Sequence, residues 1–162
     1  MTVSNSSFVD NTADNQGGAI CSANGSVIVS GSRFVCNYVD GICTSGGAIC
    51  AGAGSVIVSG SSFVNNSACE NGGAIYSWEL ASVSNSNFTD NHVEDWGGAI
   101  YSQTKVEVVS SIFNGNVASN STIYRSEGGA IYSWSSISVS NSSFINNTAS
   151  VSGGAVCSEH SY

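Results

Sequence analysis

The chain has 162 residues and a formal net charge of −8, from 3 Lys and Arg residues against 11 Asp and Glu residues. Three scattered cations cannot neutralise a run of phosphates, so nucleic acid is excluded as a partner. Hydrophobic residues make up 41% of the chain, which excludes an acidic disordered segment. No apolar run approaches the roughly 20 residues of a membrane span. We therefore expect a single folded domain over residues 1–162.

Two short phrases alternate through the chain. The first, Phe-x-x-Asn, occurs at Phe8–Asn11, Phe34–Asn37, Phe63–Asn66, Phe88–Asn91, Phe113–Asn116 and Phe144–Asn147. The second, Gly-Gly-Ala followed by Ile or Val, comes after each of these, with its first glycine at Gly17, Gly46, Gly72, Gly97, Gly128 and Gly153. The unit is about 25 residues long. It is longer where extra residues enter around 38–45 and 117–127.

A stretch with period-two alternation, such as SVIVSGSRF, comes before most of the phenylalanines and is typical of a β-strand. A unit of short strands cannot bury its own apolar face, so it must stack on copies of itself. The sequence therefore predicts an all-β fold, a right-handed parallel β-helix (β-solenoid) of six coils. The coils cover about 2–25, 26–54, 55–80, 81–104, 105–134 and 135–162.

Stacking places every residue about 4.8 Å from its equivalents in the neighbouring coils. The phenylalanines then form a column of stacked rings in the core. The asparagines, Asn11, Asn37, Asn66, Asn91, Asn116 and Asn147, form a second column whose amides link coil to coil. The glycine pair permits a sharp corner or a close backbone approach.

Six cysteines in an acidic chain rich in Ser and Asn suggest an oxidising, extracellular compartment. Cys43 and Cys69 each lie three residues before a glycine pair in neighbouring coils. Cys21 and Cys50 share the outward position after the Gly-Gly-Ala phrase, also in neighbouring coils. Stacked positions lie within disulfide range, so we predict a bridge between Cys43 and Cys69, with Cys21 and Cys50 as a second candidate pair. The alternative is free thiols.

The outward column that contains Cys21 and Cys50 continues with Tyr76, Tyr101, Tyr132 and Cys157. Trp78 and Trp134 follow two residues after their tyrosines with the same facing. The three tyrosines and two tryptophans form the aromatic stripe, which we expect to be the largest exposed apolar feature. It is either a surface that binds a glycan or protein, or a stacked ladder that stabilises the solenoid, and we favour the ladder.

The doublet of Phe63–Asn66 with Gly72–Ile75, and its five counterparts, resembles the repeats of the chlamydial polymorphic membrane proteins. Those are autotransporter-type surface proteins whose passenger is a β-helix and whose repeats are linked to adhesion to host cells. The resemblance implies an adhesin-type module that is extracellular or on the cell surface. It also implies a host-cell or matrix glycan or protein as partner.

A carbohydrate-active β-helix enzyme, of the lyase or hydrolase type, is the alternative. Such an enzyme needs clustered carboxylates, or carboxylates beside a basic side chain. Arg33, Lys105 and Arg125 fall in different columns, and two coils separate Asp10 from Asp90 in theirs. We therefore expect no catalytic residues. We also expect no metal or cofactor, since the glycine-rich calcium nonapeptide is absent.

The first and last coils also lead to an expectation about assembly. No capping segment is visible at either end of the repeats, and exposed coil ends favour stacking. Two explanations are open: the chain is part of a longer β-helix, such as a passenger, or it self-associates end to end into a filament. The second follows because a head-to-tail contact that does not close continues to grow. In that arrangement Cys157 contacts the next copy, one coil from its Cys21.

Overall fold

The computed structural model describes residues 1–41, 44–120 and 126–159. Within these residues the fold is all-β, and they contain no helix. Each coil contributes one short strand to each of four six-stranded parallel sheets. The predicted β-solenoid of six coils is confirmed.

The strands of the first three coils are β1 (Thr2–Ser4), β2 (Ser7–Val9), β3 (Thr12–Ala13), β4 (Ile20–Ser22), β5 (Val27–Ser30), β6 (Arg33–Val35), β7 (Tyr38–Val39), β8 (Ile49–Ala51), β9 (Val56–Ser59), β10 (Ser62–Val64), β11 (Ser67–Ala68) and β12 (Ile75–Ser77). Those of the last three are β13 (Leu80–Ser84), β14 (Asn87–Thr89), β15 (His92–Val93), β16 (Ile100–Ser102), β17 (Lys105–Val109), β18 (Ile112–Asn114), β19 (Val117–Ala118), β20 (Ile131–Ser133), β21 (Ser136–Ser140), β22 (Ser143–Ile145), β23 (Thr148–Ala149) and β24 (Val156–Ser158). We number the sheets first to fourth by the order of their strands within a coil.

The register pairs each residue with its own repeat equivalent. Phe63 pairs with Phe34 on one side and with Phe88 on the other. The phenylalanine rings stack with centroids 4.7 to 4.9 Å apart and nearly parallel planes. The four inner phenylalanines are fully buried. Each contributes about 1.5–3 kcal/mol of hydrophobic stabilisation.

The asparagines form a hydrogen-bonded ladder at the turn after the second sheet. The Asn66 amide nitrogen donates to the Asn91 side-chain oxygen at 2.9 Å and to the Phe34 carbonyl at 3.1 Å. The Asn91 oxygen also accepts the Asn66 backbone N–H at 3.0 Å. One side chain therefore satisfies polar backbone groups that the turn would otherwise leave buried and unpaired.

In the first five pairs, the two glycines are needed for different reasons. The first has positive φ, which is 63° at Gly72, and a Cβ there would lie 2.0 Å from the Ile75 carbonyl oxygen. A Cβ on Gly73 would lie 2.2 Å from the Gly98 oxygen and 2.4 Å from the His92 oxygen. The corner between the third and fourth sheets is therefore built of backbone packed directly on backbone.

Candidate functional site

The tyrosines of the aromatic stripe lie on the outer side of the fourth sheet. Tyr101 pairs in register with Tyr76 and with Tyr132. The ring centroids are 5.3 Å apart for Tyr76 and Tyr101 and 5.7 Å apart for Tyr101 and Tyr132, with nearly parallel planes. The structure thus brings the three rings together as a stacked column.

Most of this column is covered, contrary to the expectation of an exposed stripe. Tyr101 is 4% exposed and Tyr132 is fully buried. Trp96 and Trp134 both pack against Tyr132 with centroid distances of 6.0 Å, and Trp134 meets it edge to face. The two tryptophan rings therefore cover part of the tyrosine column, and together these side chains form an apolar cluster on the outer face of the fourth sheet.

Trp96 is the residue that sequence reasoning missed. It lies directly before the glycine pair, in a column of isolated bridges that also contains Asn71 and Glu127. Its ring centroid is 6.4 Å from that of Trp134. The sequence feature that could have indicated it is its position one residue before the glycine corner, since the corner turns the Trp96 side chain towards the adjacent sheet.

The exposed remainder of the stripe centres on Trp78, which is 49% exposed and follows the partly buried Tyr76 by two residues.

The hydroxyl groups of the two covered tyrosines each donate to a polar side chain: Tyr101 to Gln103 at 2.7 Å and Tyr132 to Glu159 at 2.8 Å. Burial raises the pKa of both tyrosine hydroxyls, and contact with Glu159 raises that of Tyr132 further. Both hydroxyls therefore stay protonated and act as donors.

The cysteines Cys21 and Cys50 begin the same outward column. They pair in register, and Cys50 pairs with Tyr76 on its other side. Both thiols are free, Cys21 exposed and Cys50 buried. Burial, reinforced by the neighbouring Cys21 thiol, raises the pKa of Cys50 to about 12. The bridge between them stays a prediction.

The other predicted cysteine contacts are only partly described. Cys43 lies outside the described residues, so its predicted bridge to Cys69 cannot be placed, and the Cys69 thiol is free. Cys157 pairs in register with Tyr132, and its sulfur donates to the Glu127 carboxylate at 3.9 Å. Burial raises the pKa of the Cys157 thiol, with further contributions from Glu127 and Glu159.

A groove of about 300 Å³ opens on the outer side of the third sheet, away from the aromatic stripe. Its polar lining consists of Tyr38, Asp40, Ser67, Cys69, His92 and Glu94. We call it the Ser67 groove.

The basic side chains that the structure describes do not gather with carboxylates into a catalytic arrangement. Lys105 forms an ion pair with its strand neighbour Glu107, and Arg33 lies exposed on the second sheet. Arg125 lies outside the described residues. Among the described residues, no group of three or more His, Cys, Asp or Glu side chains could hold a metal ion. Nor does that part of the chain hold a helix long and apolar enough to cross a membrane.

The repeat pattern has a counterpart among known families. The family model of the Chlamydia polymorphic membrane protein (Chlamydia_PMP) repeat matches residues 5–23, 60–77, 85–103, 110–133 and 141–159, more than half of the chain. The chain belongs to this family. Each polymorphic membrane protein repeat matched here covers the second, third and fourth strands of one coil, and the first-sheet strand lies between matches.

Membership associates the chain with surface proteins of the outer membrane and with β-helix proteins of adhesin type. No curated protein matches the chain, and no solved structure does. The second coil, which holds β5 to β8, lies wholly outside the matched stretches, although its four strands pair in register with those of the coils on both sides.

Proposed function

We propose that the chain is a non-catalytic, extracellular module of adhesin type that binds a host-cell or matrix glycan or protein through the exposed end of the aromatic stripe. Family membership supports the class of function. The single structural observation in its favour is Trp78, half exposed in the bend directly after β12, the strand that holds Tyr76. Exposed tryptophan and tyrosine are the side chains that contribute most to binding surfaces.

The architecture suits such a role because the binding residues lie on a scaffold that needs no rearrangement. The Tyr76 ring is stacked on Tyr101, which is itself held between Tyr76 and the buried Tyr132. A ligand that also contacts the Tyr76 ring would therefore meet a side chain that stacking already holds, at little further cost in side-chain entropy.

The test is binding of the purified chain to host cells and to a glycan array, with Trp78→Ala as the variant. We expect a loss of at least about tenfold in affinity, in line with truncation of an aromatic anchor. Ile57→Ala is the matched control, because Ile57 is an apolar side chain of similar exposure, 41%, on the first sheet. Equal binding by the Trp78 variant and the parent chain would refute the proposal.

A second candidate role, a self-stacking fibre subunit, is favoured by the direction of the asparagine ladder. Asn11 donates to Asn37, and every step onward has the same sense as far as Asn116 donating to Asn147. A second copy placed end to end would extend the ladder without reversing it and would bring Cys157 near the next Cys21. Electron microscopy of the purified chain tests this role, and a monodisperse particle without fibres would contradict it.

We also propose that Cys21 and Cys50 form a bridge between coils in an oxidising compartment, with Cys43 and Cys69 as a further pair. Strands in register lie about 4.8 Å apart, which falls within the Cα separation of disulfides. Intact mass of freshly isolated protein, with and without reductant, measures the number of bridges. Six free thiols in that protein would contradict both pairs.

A further inference from the structure

The shape of the Ser67 groove follows from one small residue in a column of larger ones. On the outer side of the third sheet, Ser67 pairs in register with Tyr38 and with His92. Tyr38 and His92 are therefore two strand spacings apart, roughly 10 Å. The side chain between them is a hydroxymethyl group, so the column has space where a ring would otherwise lie.

The phenylalanine column shows what fits such a space. Each inner phenylalanine lies between two others at centroid distances of 4.7 to 4.9 Å on both sides. Two rings that are two coils apart therefore accommodate one planar group between them. Ser67 holds the corresponding middle position in the outward column, with Tyr38 and His92 in the coils on either side.

Along the rim of the groove, an uncharged residue again lies between two larger ones, which here are acidic. Cys69 occupies the position three after the ladder asparagine, where the adjacent coils have Asp40 and Glu94. All three line the groove, and both carboxylate residues are exposed. Burial raises the pKa of the Cys69 thiol, with a smaller contribution from Glu94, so the thiol carries no charge at neutral pH.

The lining is acidic without a compensating cation. Among the residues that the structure describes, those that line the groove include no Lys or Arg. Burial lowers the pKa of His92, against a smaller opposing effect of Glu94, so the imidazole is neutral at pH 7. The groove therefore combines two negatively charged rims with two uncharged aromatic side chains, Tyr38 and His92.

We propose that the Ser67 groove binds the guanidinium group of an arginine side chain on a partner polypeptide. A guanidinium is planar, stacks on aromatic faces, and is more weakly hydrated than an ammonium group. It enters between Tyr38 and His92 and donates hydrogen bonds to the Asp40 and Glu94 carboxylates, which are strong when both partners are charged. The groove lies on the third sheet and the aromatic stripe on the fourth, so this site is independent of the proposed adhesin surface.

The chemistry separates arginine from its closest substitutes. Lysine brings the same charge on a compact ammonium group that cannot fill a planar gap. Citrulline keeps the planar shape but has no charge. Only arginine matches both the gap between the two aromatic side chains and the acidic rims.

The experiment titrates the 162-residue chain into fluorescein-labelled pentapeptides of glycine with a central arginine, lysine or citrulline, read by fluorescence anisotropy. We expect the arginine peptide to bind about tenfold more tightly than either of the others. Equal affinity for the lysine peptide would mean charge attraction alone and would overturn the proposal. Absence of binding by the arginine peptide would also overturn it.

Variants locate the site. Ser67→Tyr fills the gap and should weaken arginine-peptide binding at least tenfold. Thr148→Tyr, in the same outward column but outside the groove, should leave binding unchanged. Circular dichroism establishes that each variant is folded. If Ser67→Tyr fails to fold, the pair Asp40→Asn and Glu94→Gln takes its place, with the same expected loss. Unchanged affinity in a folded groove variant would refute the assignment.

Discussion

At the residue scale, each inner asparagine of the ladder supplies hydrogen-bond partners to backbone groups and amides of the neighbouring coils. Asn91 is fully buried, and its side chain accepts from the Asn66 backbone and amide while it donates to Phe63 and Asn116. An aspartate could not donate, and a serine could not reach both neighbouring coils. The amide alone offers donor and acceptor on one short side chain.

Replacing Asn91 with alanine should lower the free energy of unfolding by about 3 kcal/mol or more, because several buried polar groups lose their partner at once. Urea denaturation measures the change. Asn87→Ala is the control, because Asn87 is exposed in the same coil. The free energy of unfolding of this variant should stay within about 0.5 kcal/mol of the parent value. Equal destabilisation by the two variants would show that the ladder contributes little.

The thiols of Cys21 and Cys50 should react very differently although the residues are direct neighbours. Cys50 is buried with its pKa raised to about 12, so at pH 8 almost none of it is thiolate, the reactive form. We expect iodoacetamide to modify the exposed Cys21 in the native, reduced protein and Cys50 only after unfolding in urea. Mass spectrometry of proteolytic fragments measures both, and equal native labelling would contradict the assignment.

At the scale of elements, the short third-sheet strands depend on the glycine corner. The backbone of the second glycine packs on the carbonyls of the third sheet, as Gly73 does on His92. That close approach is possible only without a Cβ, and it draws the third and fourth sheets together in the first five coils.

Gly73→Ala should therefore destabilise the protein by about 3 kcal/mol or more, because the added Cβ meets two backbone oxygens that cannot rotate away. Gly25→Ala is the matched control, since the nearest atom to its Cβ would be the Ser22 hydroxyl at 3.6 Å. The midpoints of thermal unfolding compare the two. A similar midpoint for both variants would mean that the corner is able to open.

At the scale of the whole molecule, each coil contacts only its neighbours. Stability is then close to a sum over coils and the interfaces between them, with inner coils held on both sides. Phe63 lies between two stacked rings and is fully buried, whereas Phe8 in the first coil stacks on one ring and is partly exposed. The same side chain therefore contributes differently according to its coil.

Phe63→Ala should lower the free energy of unfolding by about 3–5 kcal/mol, the range for a buried phenylalanine. Phe8→Ala should lower it clearly less. Urea denaturation gives both values. In addition, hydrogen exchange should show that Phe8→Ala mainly exposes the first coil, while Phe63→Ala weakens coils on both sides. Equal costs at the two positions would contradict nearest-neighbour stabilisation.

The coil and its columns follow from the sequence alone. Because stacked strands place like residues on like residues, six copies of Phe-x-x-Asn with Gly-Gly-Ala were enough to predict the solenoid, the phenylalanine column and the asparagine ladder. Those features depend on spacing along the chain, which is visible in one dimension.

Which outward residues are exposed depends on the tertiary structure. Period-two alternation tells inside from outside, but it does not tell whether a neighbour such as Trp96 covers Tyr132. The space above Ser67 likewise exists only because stacking places Tyr38 and His92 on either side of it. Both features depend on contacts between side chains of different columns or coils, and the repeat period does not contain that information.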